Sequence, residues 1–278
     1  MTLTVSLSDG LALAIADRAS GAEDYPTRRL QKGLVLLDRG RGLAEEGVGF
    51  GVPIIKRGIQ TIFPGGVELT HERRGPVWEV TAVFEMNLVE RLARPGVGSL
   101  RWRSLYVAKD ALAALHRRSP ALRGPLTAVS NTLRRSFGWV TTFEEAGSSF
   151  AVKLTYTIRE GEGSVTAAID LTDLPQDGVT EVVVMNEQGA RHFDRYVDAD
   201  GTTLQGDAIG TWDEVAAGRA AFVSTAHGVA FSLGQVEGAR LHRGRELIGS
   251  RVAWSGFGYS FPPTLAGFRY DLGVERVS

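Results

Sequence analysis

The sequence predicts a mainly β protein: a large antiparallel β-sandwich of the two-sheet, supersandwich kind, with a small two-helix insertion. Three observations carry this. Apolar residues alternate with polar ones over long stretches, turn residues recur every 8 to 15 positions, and glycine is abundant. The chain has 34 glycines in 278 residues, about 12 % against an average of about 7 %. A pair of lipocalin-like barrels is the alternative architecture for a chain of this length.

The clearest alternation is "VWEVTAVFEMNL", where Trp78, Val80, Ala82, Phe84, Met86 and Leu88 share one face and Glu79, Thr81, Glu85 and Asn87 the other. One face is buried and the other wet, as in an antiparallel sheet. In "FAVKLTYTIRE" the inward set is Phe150, Val152, Leu154, Tyr156 and Ile158. "GEG" then turns the chain into "SVTAAIDL", which predicts a hairpin. "AAFVSTAHGVAFSL" reads as another, turning near His227-Gly228. "VTEVVVMNEQ" is apolar on both faces, so this strand lies between two covering layers.

The pattern changes between about 104 and 137. Leu105, Ala108, Leu112 and Leu115 follow helical spacing after Ser104, and Leu122, Leu126, Val129, Leu133 and Phe137 form a second run closed by Gly138. No linker or repeat divides the chain, which reads as a single domain, 1–278. From Arg101 to Arg135 there are eight bases and one acid, a net +7, so the remainder carries −8 of the chain's net −1. Two basic pairs fall at helix C-termini, where cations are favoured. The basic insertion is expected to contact the acidic remainder, within the chain or across an oligomer; an external anionic partner is the alternative.

Ordinary charge content and near-neutral balance exclude a disordered chain or a generally basic nucleic-acid binder. The absence of cysteine removes disulfides, thiolate metal sites and cysteine nucleophiles. The amino-terminal residues lack the layout of a signal peptide, and no apolar run approaches the ~20 residues of a membrane span. The expectation is a soluble, cytoplasmic protein.

"EEGVGFGVPIIKRG" places Gly47, Gly49 and Gly51 at alternate positions ahead of Lys56. A phosphate loop needs its glycines between a strand and a helix. Here a strand-like run follows, so the glycines read as a backbone device beside a cleft, with Glu46 and Lys56 at its rim. No cofactor is expected. The five histidines are too scattered to predict a metal site, and the serine-hydrolase elbow is missing.

Chemistry is expected at "MNEQGARHFDRY". It leaves the doubly covered strand and places Asn186, Glu187, Arg191, His192, Asp194 and Tyr196 together. In an extended segment His192, Asp194 and Tyr196 share a face and supply general acid and base roles, with Asn186, Glu187 and Arg191 as binding groups. In "WSGFGYSFPP", Trp254 and Tyr259 stand beside glycines, as in a platform for sugar rings. The functional expectation is a carbohydrate-active protein of epimerase or lyase type, taking a saccharide or other small molecule; the sandwich contributes to it only by fold-level analogy. A non-catalytic ligand-binding or scaffold protein is the alternative.

Overall fold

Alternation of apolar residues over nearly every described stretch produces two antiparallel sheets. The structure is a computed structural model that describes residues 2–16, 33–44, 49–58, 60–94, 96–100, 140–248 and 252–277, with five positions between 104 and 115. A four-stranded sheet orders β1 (Thr2–Ser6), β2 (Leu11–Ala16), β3 (Val35–Asp38) and β4 (Arg41–Gly42) in sequence.

The large sheet begins with β5 (Phe50–Arg57), β6 (Gln60–Arg74), β7 (Val77–Arg94), β8 (Gly98–Leu100) and β9 (Val140–Arg159). It continues through β10 (Ser164–Asp170), β11 (Val179–Gly189), β12 (Arg195–Asp198), β13 (Thr203–Gln205) and β14 (Asp213–Glu214). Its last members are β15 (Arg219–Ser224), β16 (Val229–Gly234), β17 (Arg240–Ile248), β18 (Val252–Phe261) and β19 (Gly267–Arg276). The strand order is β13-β12-β15-β16-β19-β10-β9-β7-β6-β5-β11-β18-β17-β14, with β8 beside β7.

This sheet folds over on itself. Tyr270 on β19 donates a hydrogen bond of 2.8 Å to Asn186 Oδ1 on β11, although six strand-to-strand steps separate the two in the sheet. Arg243 on β17 lies over the ring of Tyr196 on β12, at 4.8 Å. Strands β12 to β9 therefore form a first layer, and β6 to β17 a second that faces it. The bend lies along β6, β7 and β9, strands of 15, 18 and 20 residues. Register shifts at Phe63-Pro64-Gly66 and at Met86-Leu88 break their ladders, and bulges of this kind bend long strands.

The core between the layers is rich in aromatics: Tyr156, Tyr196, Phe222, Phe231, Phe257 and Tyr259 are all buried. Strand β11 is covered on both sides, as its composition predicts, with Val182 to Gln188 buried except half-buried Glu187. Its inward polar groups are paired. Gln188 accepts from Leu36 N and donates to Leu34 O, both at 3.1 Å, so its amide joins the small sheet to β11. At the same end, Arg276 on β19 holds Asp38 of β3, and the guanidinium keeps that carboxyl below its usual range. Replacing Tyr270 by Phe strands the buried Asn186 oxygen, and chemical denaturation is expected to show a loss of about 1–3 kcal/mol.

Gly51 has a backbone φ of +84°, and a Cβ there would lie 2.2 Å from the Tyr156 hydroxyl. Glycine is obligatory at that point for backbone reasons. The alternative of two lipocalin-like barrels is not what forms: the large sheet is open, with β13 and β14 at its edges. The predicted insertion at 104–137 lies almost wholly outside the described residues. No two-helix unit stands among them; Ser104, Val107, Ala108, Ala111 and Leu115, the positions described there, are helical. No helix among the described residues is long and apolar enough to cross a membrane.

Candidate functional site

Strand β18 reads "VAWSGFGYSF", and its odd positions Ala253, Ser255, Phe257, Tyr259 and Phe261 are buried between the layers. Its even positions Trp254, Gly256, Gly258 and Ser260 therefore lie on the second layer's other face, where Trp254 is half-buried and the other three are buried. The register brings further outward residues beside them. On one side are Val183, Met185 and Glu187 of β11; on the other are Arg240, His242, Gly244 and Glu246 of β17.

Two indole rings occupy the space that the glycines leave. A Cβ on Gly244 would lie 2.4 Å from the Trp254 ring, and one on Gly258 would lie 2.2 Å from the Trp212 ring. Trp212 also stacks on His242, with centroids 4.7 Å apart and planes 10° from parallel. The His242 Nε2 is 2.8 Å from Ser260 Oγ. Trp254 Nε1 donates to Glu246 Oε2 at 3.2 Å, which fixes that carboxylate beside the ring.

Glu187 stands on the same face. Burial, and then the charge of Glu246, push its carboxyl up to about 8. It therefore carries a proton at neutral pH beside an acidic neighbour, the environment that divides two carboxyl groups into a donor and an acceptor. The Glu187 amide donates to Gly49 O at 3.1 Å and the Gly189 amide to Leu43 O at 2.9 Å. Gly49 thus flanks the Glu187 end of β11; Glu45 to Val48 lie outside the described residues. Next to Glu187, Val52, Val183 and Met185 form a small apolar cluster with Ile54 and Trp212, separate from the main core.

Of the residues singled out in the sequence, Glu187 and Trp254 come together on this face. Asn186 and Tyr259 point the other way, into the sandwich; the Tyr259 hydroxyl donates to Gly234 O at 2.6 Å. Lys56 is outward on β5 and ion-paired with Glu181. Glu46 lies outside the described residues, and Arg191 is exposed on the turn after β11.

His192, Asp194 and Tyr196 do not share a face. His192 N and Phe193 N both donate to Gly189 O at 3.0 Å, and this turn breaks the alternation before β12 begins. His192 sits edge-on to His227, with centroids 5.3 Å apart. Asp194 accepts from Thr225 N at 3.2 Å. Tyr196 has its ring buried in the core and donates to Asp198 Oδ2 at 3.0 Å. Glu246 and His242 escape the sequence reading. Their signal was an outward glycine, Gly244, in the middle of an alternating strand, which marks a close approach.

No protein-family model matches the chain, and no curated protein matches it either. Among solved structures it is similar to the α-N-acetylgalactosaminidase NagBb from Bifidobacterium bifidum in complex with GalNAc, with a TM-score of 0.53 and 13 % identity. That alignment covers 100 % of this chain and 36 % of NagBb, so the chain spans about a third of the neighbour's length. A galactose mutarotase-like protein from Lactobacillus casei aligns over 99 % of both chains, with a TM-score of 0.42 and 10 % identity. At such identities the likeness to NagBb is one of fold alone: this chain has the β-sandwich architecture of one part of that protein.

Proposed function

We propose that the outward face of β11, β18 and β17 binds a sugar and moves a proton on it. The observation that carries this is the convergence of Glu187, Glu246, Trp254 and Trp212 on one sheet face, from segments up to 59 residues apart. Indole faces take up the apolar C–H side of a sugar ring. Glu187, protonated at neutral pH, donates to a ring or exocyclic oxygen, and Glu246, oriented by the Trp254 N–H, accepts a proton from a sugar hydroxyl. Such a pair suits epimerase- or lyase-type acid-base chemistry. That NagBb is a galactosaminidase in complex with GalNAc supports a sugar as the ligand class.

A binding-only reading has one observation in its favour. The apolar cluster of Val52, Val183 and Met185 beside the tryptophans accepts an apolar substituent and has no proton to move. Intrinsic tryptophan fluorescence tests the shared part. Titration with galactose, glucose, N-acetylgalactosamine and their aryl glycosides is expected to give a saturable change with at least one of them. Trp254→Phe should weaken that binding about tenfold, the equivalent of roughly 1.4 kcal/mol. A flat response to every sugar, or undiminished binding by Trp254→Phe, would overturn the site. Saturable binding without turnover would favour the second reading.

A further inference from the structure

A second groove takes no part in the proposed sugar site. Arg219, Ser232, Gly234, Asp271 and Gly273 of the first layer line a cleft of about 820 Å³, together with Tyr259 of the second. This size is ordinary for a small-molecule site. Its floor follows from register. Ala221 pairs with Ser232, Ser232 with Gly273, and Gly273 with Ser164. Four small residues in one cross-strand row give the Arg219 side chain room to lie across β16 and β19, its Nη2 2.8 Å from where a Cβ on Gly273 would stand.

In the adjacent row Arg219 pairs with Gly234. Gly234 follows Leu233, the partner of Leu272, and so lies against Asp271. Arg219 and Asp271 therefore root on either side of a glycine, about 10 Å apart at two strand spacings. Opposite charges so placed would ordinarily join, yet among the described residues neither belongs to an ion pair. Each is drawn away by another bond. Arg219 Nε and Nη2 donate to Ser232 Oγ at 3.3 and 2.7 Å, which leaves Nη1. Asp271 Oδ1 accepts from Thr166 Oγ1 at 2.6 Å, which leaves Oδ2. Arg269 and Glu275 also line the groove, and among the described residues they too make no ion pair.

We propose that this groove is a second, non-catalytic binding site for a neutral saccharide, held between Arg219 and Asp271. Guanidinium groups only donate and ionised carboxylates only accept. A ligand that satisfies both must donate and accept from adjacent atoms, as vicinal hydroxyls do. Charge-assisted hydrogen bonds to such hydroxyls are the strong kind. Two bases and two acids cancel, so the groove has no net field for a polyanion.

Affinity electrophoresis through gels containing amylopectin, galactomannan or xylan tests the proposal, with a heparin gel as the charged counterpart. The wild type and Glu187→Gln are expected to be retarded equally by at least one neutral polysaccharide. Arg219→Gln and Asp271→Asn should each cut that retardation at least fivefold while melting at the wild-type temperature. If one of the two variants misfolds, the other carries the test. Free passage of the wild type through all three neutral gels overturns the proposal. So does unchanged retardation of a folded Arg219→Gln or Asp271→Asn variant, or loss of retardation in Glu187→Gln. Retention by heparin alone, abolished in Arg219→Gln, would make this an anion site and sink the neutral-saccharide assignment.

Discussion

Glu187→Gln is expected to abolish turnover of whichever sugar the outward face accepts, by a factor of about 10² to 10⁴, the scale of a lost general acid. The wild-type rate should fall as pH rises through about 8, where Glu187 loses its proton. The same group leaves a mark on stability that needs no substrate. Its carboxyl titrates near 4.5 when free and near 8 in the fold. Between those values the unfolded chain has released the proton that the folded chain retains. Stability therefore falls steadily as pH rises from about 4.5 to about 8, and the whole penalty is present above 8. At about 1.4 kcal/mol per unit it amounts to at most about 5 kcal/mol. Urea denaturation at pH 5, 7 and 9 should show this slope in the wild type and lose it in Glu187→Gln, which becomes the more stable protein at pH 9. Identical slopes in both proteins would remove Glu187 from the role of proton donor.

The second large effect is expected at Gly51. An alanine there must adopt a left-handed backbone and place its Cβ 2.2 Å from the Tyr156 hydroxyl. That hydroxyl donates to Phe50 O at 2.8 Å, so relief of the clash breaks a buried hydrogen bond. The backbone conformation costs about 1–3 kcal/mol and the stranded polar groups about as much again. Gly51→Ala should therefore lose roughly 3–5 kcal/mol in denaturant unfolding. Gly147→Ala is the control, since nothing lies within 4 Å of a Cβ there and its φ is not left-handed. Equal stability of the two variants would show that Gly51 is not required.

Much of this architecture was legible in local pattern. The even residues Val80, Ala82, Phe84 and Met86 are buried, as their alternation required. The hairpin predicted around His227-Gly228 is β15 against β16, and β11 is covered on both sides. These features depend on neighbours in sequence, and a period of two reports them directly. The outward site depends on which strands become neighbours. Glu187 meets Glu246 because β18 separates β11 from β17, a pairing that no periodicity encodes. The phase of alternation also stops at a turn, so the outward sense of Glu187 does not carry past Gly189 to His192 and Tyr196. Trp254 was found because the glycines around it are visible in its own strand. Trp212 docks on Gly258 from 46 residues away, and no pattern in its own stretch of sequence announces it.

The place of β19 has a consequence for biosynthesis. It follows β18 in chain order, yet it lies between β16 and β10 inside the first layer. Its end also supplies Arg276, which grips Asp9 and Asp38 far back in the chain. A nascent chain on the ribosome can form its hairpins early, but until Gly267–Arg276 emerges the first layer is two fragments with exposed strand edges. Such edges recruit foreign strands, and long-range closure is slow. A chain that lacks Gly267–Arg276 is therefore expected to aggregate, because nothing else joins the two fragments of the first layer.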